Sequence, residues 1–109
     1  MNFNEYQHEA RKTAIYPELG NNFWYPALGL SGEAGEVAEI VKKLYRDNGG
    51  KLDSDRRDAL GKELGDILWY IANLASEADI TLESIAFNNI VKLRDRQVRG
   101  KVQGSGNNR

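Results

Sequence analysis

The sequence predicts an all-α fold, an antiparallel bundle of about four helices, and three observations carry that prediction. Apolar residues recur at helical spacing through most of the 109 residues. Glycine, proline and asparagine cluster at two breaks between these stretches, and Asp79 with Thr81 marks a third. No alternating strand pattern and no internal repeat competes with them.

Asn4 is a candidate cap for a first helix over about Glu5 to Ile15, with Tyr6, Ala10, Thr13 and Ala14 on its weakly apolar side. The single histidine, His8, lies in this helix with no second nitrogen or sulfur ligand near it in sequence, and reads as a surface or packing residue. Pro17 and Gly20 break the helix. Phe23, Trp24 and Tyr25 follow, just ahead of Pro26, which suits a helical first turn.

The second helix is expected from Pro26 to Tyr45. Gly29, Gly32 and Gly35 each cost about 1 kcal/mol relative to alanine, so something must approach its backbone closely there, another helix or a phosphate. Lys42, Lys43 and Arg46 complement the helix dipole at its C-terminus. Asp47-Asn48-Gly49-Gly50 is a turn, and Asp53 or Ser54 caps a third helix over Asp55 to Glu77 with Leu60, Leu64, Ile67, Leu68 and Ile71 on one side. Thr81 caps a fourth from Leu82 to about Arg96. The folded domain is expected to span residues 1–99, with 100–109 a flexible polar tail.

Acids stand where these helices should be apolar. Val37, Ile40, Val41 and Leu44 share a face with Glu33 and Glu36 on it or at its edge, and Glu63 and Asp66 flank the apolar face of the third helix. An ionised carboxylate in an apolar seam costs several kcal/mol unless a cation or donors meet it. Two helices offering acids at i and i+3 therefore outline a divalent-metal site. Hard oxygen donors without imidazole or thiolate suit Mg2+, or Mn2+, rather than zinc. The absence of Glu-x-x-His pairs argues against a di-iron bundle. Glu39, one turn beyond Glu36, rotates away from the apolar stripe toward solvent.

Composition narrows the partners. With 15 basic and 16 acidic residues the net charge is −1, which gives no reason to expect a nucleic-acid polymer or an anionic membrane surface. There is no cysteine, no apolar run of membrane-spanning length and no leader, so a soluble cytoplasmic protein is expected. A chain of this size often gains stability from a second copy.

The segments GLSGEAGEVAEIVKK, ELGDILWYIANLA and NIVKLRDR together resemble the MazG-like nucleoside triphosphate pyrophosphohydrolases of the all-α NTP pyrophosphatase superfamily. The resemblance covers roughly Trp24 to Gly100. Glu33 and Glu36 match the superfamily's ExxE motif, Glu63 and Asp66 its ExxD motif, with residues 37–62 between them. Asn89, Lys92 and Arg96 match its cationic C-terminal helix, at a spacing that lines one side of a helix. Gly32 and Lys62 depart from the glutamates that many members carry just before each motif.

The resemblance implies Mg2+-dependent cleavage of a nucleoside triphosphate between its α and β phosphates, releasing a nucleoside monophosphate and pyrophosphate in a nucleotide-pool housekeeping role. It implies Glu33, Glu36, Glu63 and Asp66 as metal ligands, Lys92, Arg96 and Asn89 as phosphate contacts, and a homodimer or homotetramer. Spacing does not select the acid that acts on water, for which Glu36 is the candidate. Trp24 is a candidate to stack on the base. A relative restricted to dUTP, dCTP or phosphoribosyl-ATP is the alternative, and a non-catalytic helical interaction module a weaker one.

Overall fold

The computed structural model describes residues 1–100 and 104–107. They form four helices: α1 (Phe3–Lys12), α2 (Trp24–Asn48), α3 (Ser54–Glu77) and α4 (Leu82–Val98). No strand occurs among the described residues.

Local chemistry sets the boundaries. Asn2, not Asn4, caps α1: its side chain accepts from the Glu5 amide at 2.8 Å and donates to the Glu5 carboxylate at 2.8 Å. This cap moves the start of the helix back two residues from the expected Glu5. The end moves too, to Lys12, leaving Ile15 exposed in the linker. Asp53 and Thr81 cap α3 and α4 as their sequences predict, accepting from the Arg56 and Ser84 amides. The N-cap of α2, Phe23, has no side-chain hydrogen bond. Asn22, one residue earlier, accepts from the Tyr25 amide at 2.9 Å instead. Gly49, in the left-handed conformation at φ 62°, closes α2 three residues beyond the expected Tyr45.

Helices α2 and α3 form an antiparallel hairpin, α1 lies across α3, and α4 packs on α1. The centre of this packing is Ala10, Ala72 and Leu82, with Tyr6, Trp69 and Ile71 against it. Four of the seven buried apolar residues are alanines, so α1 and α3 approach closely but remove little apolar surface from water. A fully buried leucine contributes about 1.5–3 kcal/mol, and only Leu44 and Leu82 are in that class. Val41, Leu64, Phe87, Ile90 and Val91 remain open to solvent. The radius of gyration is 16.7 Å, against about 13 Å for a compact chain of 100 residues. Among the described residues no helix is long and apolar enough to cross a membrane.

A buried carboxylate fixes the linker between α1 and α2. Glu77, whose side chain is 1% exposed, accepts from the amides of Gly20 and Asn22, each at 2.9 Å, from the Tyr16 hydroxyl at 2.6 Å and from the Arg11 guanidinium at 2.7 Å. Burial by itself raises its pKa. Those donors overturn the effect and hold the carboxyl at about 2. Tyr16 in turn stacks on Tyr25 with ring centroids 4.8 Å apart, so the head of α2 is tied to the end of α3.

Candidate active site

The site forms where α2 and α3 pass each other. Glu33 on α2 and Glu63 and Asp66 on α3 each offer a carboxylate oxygen, and the three oxygens lie within 4.8 Å of one another. Glu33 and Glu63 are half-buried in the seam and Asp66 is exposed at its rim. The Glu33 carboxyl is raised to about 7, first because it can share a proton with Glu63, then by partial burial and by the charges of Glu63, Asp66 and Glu36. One oxygen of Glu63, Oε2, is buried and, among the described residues, accepts from no N–H or hydroxyl donor. A buried acceptor left unpaired costs free energy; a proton shared with Glu33 would meet it, and a divalent cation held there would do so while relieving the repulsion among the acids. The donor set, all carboxylate oxygen, fits a hard divalent ion.

Glycine sets the spacing of the seam. A Cβ on Gly29 would fall inside the Tyr70 ring, 2.7 Å from Cδ1 and closer to Cε1 and Cζ. Gly29 lies one turn before Glu33 and Tyr70 one turn after Asp66, so this contact holds the two helices together directly beside the acids. Gly32 and Gly35, which the sequence suggested as further points of close approach, have no atom within 4 Å of an added Cβ. Only the first of the three glycines is required by a neighbour within the chain. The charges of Glu33 and Asp66 reach Tyr70, and that of Asp66 reaches Tyr6; both phenols are raised, chiefly by burial.

Three of the four acids of the two motifs therefore converge. Glu36 is exposed and stands outside the group, because residues at i and i+3 differ by about 60° around a helix axis and α3 faces only Glu33 squarely. Glu39 points to solvent as expected and pairs with Lys42 at 2.8 Å.

A model of the MazG nucleotide pyrophosphohydrolase domain matches residues 25–99, a span that contains all four acids and the whole of α4. The chain belongs to this family. It is also 45% identical over 114 aligned residues to the Gene 37 protein of Mycobacterium phage L5, with the whole of both chains covered. No solved structure matches it.

The MazG-like cationic residues lie on α4, which packs on α1 rather than extensively on α2 or α3. Asn89 is exposed, Lys92 half-buried and Arg96 buried at 3% exposure. The Lys92 ammonium donates to Asn107 Oδ1 at 3.1 Å, and Arg96 donates to the Asn107 carbonyl at 2.6 Å. Of the tail expected over residues 100–109, residues 101–103 and 108–109 lie outside the described residues, and within 104–107 it is Gly106 and Asn107 that meet these cations. Trp24 is about half exposed at the head of α2, edge-on to Phe23. His8 is exposed on α1.

The Glu77 network and the Gly29–Tyr70 contact are absent from the sequence reading. Helical spacing carried a signal for the second: Gly29 precedes Glu33 by four residues, and Tyr70 follows Asp66 by four, so both share the faces of the acids. No spacing signals the first, because the partners of Glu77 lie 55 to 66 positions away in the chain.

Proposed function

We propose that the protein hydrolyses nucleoside or deoxynucleoside triphosphates between the α and β phosphates, giving a nucleoside monophosphate and pyrophosphate. The observation that carries this reading is the convergence of Glu33, Glu63 and Asp66 around the unpartnered Oε2 of Glu63, in a chain of the MazG family. Glu33, Glu63 and Asp66 would hold Mg2+, with Mn2+ a workable substitute. When bound, such an ion neutralises phosphate charge and favours ionisation of a coordinated water.

The chain's own residues divide the remaining work. Glu36, exposed one turn from Glu33, orients the attacking water and accepts its proton as the water oxygen bonds to phosphorus and the bridging P–O bond breaks. Pyrophosphate leaves with the bridging oxygen. Lys92 and Arg96, aided by Asn89, hold phosphate oxygens, and Trp24 stacks on the base. Because α4 stands apart from the acid-bearing hairpin, we place the complete site in a homodimer or a dimer of dimers, whose interfaces cover Val41, Leu64, Phe87 and Val91. A cytoplasmic, nucleotide-clearing role fits this chemistry.

The test is a pyrophosphate-release screen across ordinary and modified nucleotides with Mg2+. Asp66→Asn and Glu36→Gln should each lower kcat by at least about 100-fold with the helical signal intact. Release of orthophosphate without pyrophosphate would defeat the assigned bond, and turnover of one nucleotide alone would favour the narrow-substrate reading.

A further inference from the structure

Of the described C-terminal residues 104–107, the last two, Gly106 and Asn107, meet Lys92 and Arg96. Lys92 Nζ donates to the Asn107 side chain at 3.1 Å; Arg96 Nη2 donates to the Asn107 carbonyl at 2.6 Å, with the Gly106 carbonyl further off at 3.5 Å. The turn that aims these oxygens depends on Gly106, whose φ of 81° is unfavourable to residues with a Cβ. Among the described residues no atom lies within 4 Å of a Cβ built there, so the backbone conformation is what favours glycine at this position.

We propose that this segment is an autoinhibitory strap: its amide and carbonyl oxygens occupy the two cations as stand-ins for phosphate oxygens, and a polyphosphate chain must displace them to bind. The inference rests on the assignment of Lys92 and Arg96 as the phosphate site. Its physical basis is a difference in charge. The oxygens contributed by Gly106 and Asn107 are neutral, while those of a polyphosphate are anionic and add Coulomb attraction to each hydrogen bond. A triphosphate, with several such oxygens, displaces the strap more readily than a monophosphate, so the strap returns when only a monophosphate remains and favours product release. A strap docked about nine-tenths of the time weakens apparent binding about tenfold.

The test uses the full chain and needs no catalysis. The protein has no cysteine, so Ser105→Cys, at an exposed position, accepts a single fluorophore on the strap. Inorganic tripolyphosphate should lower the fluorescence anisotropy of the label with the same midpoint as its binding measured by calorimetry. Gly106→Val, which opposes the turn without touching the cations, should start at low anisotropy and bind tripolyphosphate several-fold to about tenfold more tightly. Unchanged anisotropy on binding, or a Gly106→Val protein that binds no more tightly, overturns the strap. Pyrophosphate release from nucleotides alongside that result leaves the proposed reaction standing. Tripolyphosphate that fails to bind either protein removes both the strap and the phosphate assignment.

Discussion

Replacing Gly29 by alanine tests whether the acid seam is set by backbone contact. The new Cβ would lie inside the Tyr70 ring, so the ring must swing out of its edge contact with Trp69, now at a centroid distance of 5.1 Å, or α2 and α3 must part. Either response costs about 1–3 kcal/mol. Alanine's higher helix propensity returns about 1 kcal/mol of that, leaving a net loss of up to about 2 kcal/mol. Gly32→Ala and Gly35→Ala meet no atom within the chain and should gain up to about 1 kcal/mol each from propensity alone. Urea denaturation with a constant m-value reads the three signs directly. Mg2+ titration of Gly29→Ala should also show weaker binding, because parting the helices moves Glu33 away from Glu63. A Gly29→Ala protein that gains as much stability as the Gly32→Ala and Gly35→Ala proteins would refute the close-approach argument. A loss at Gly32 that grows on dilution would put a second copy of the chain against that face.

Other outcomes follow from the same geometry. Glu77 has its pKa depressed from 4.5 to about 2, so its contribution is complete above pH 4.5 and is lost as pH falls from there toward 2. That contribution is at most about 3 kcal/mol, and Glu77→Gln should abolish this segment of an acid-denaturation curve while lowering stability at neutral pH. Glu33 has the opposite sign: its carboxyl is raised from 4.5 to about 7, so without metal the fold loses stability as pH rises through that window, and adding Mg2+ should remove the dependence. Glu63→Gln should bring the Glu33 carboxyl back toward its ordinary range, measurable by NMR titration. Trp24→Ala should raise KM for nucleotides by roughly tenfold, the equivalent of one lost base stack, while leaving tripolyphosphate binding unchanged.

The sequence carried the helices and the acids because both are local. Periodicity over ten or more residues sets α3 and α4, and the caps Asp53 and Thr81 are read from a single residue each. Asn2 was legible too, as a residue type favoured at an N-cap, but Asn4 stands as close to the apolar run and competes for the same role. Glu33, Glu63 and Asp66 meet because each helix places its acids at the edge of an apolar face. Helical spacing alone does not say which member of an i, i+3 pair lies in the seam, and Glu36 falls outside it for that reason. What joins distant segments left no trace in spacing. A glutamate at the end of a helix is unremarkable until Arg11, Tyr16, Gly20 and Asn22 are seen to meet it.

That junction at Glu77 also bears on how the protein emerges from the ribosome. The first two dozen residues have their polar anchor near the end of α3, so they cannot settle until synthesis has passed position 77. Helices α2 and α3 need only the short turn between them to find each other. The nascent chain should therefore close its central hairpin first and fold its beginning back last, with α1 sealing a structure that the later-made residues have already started.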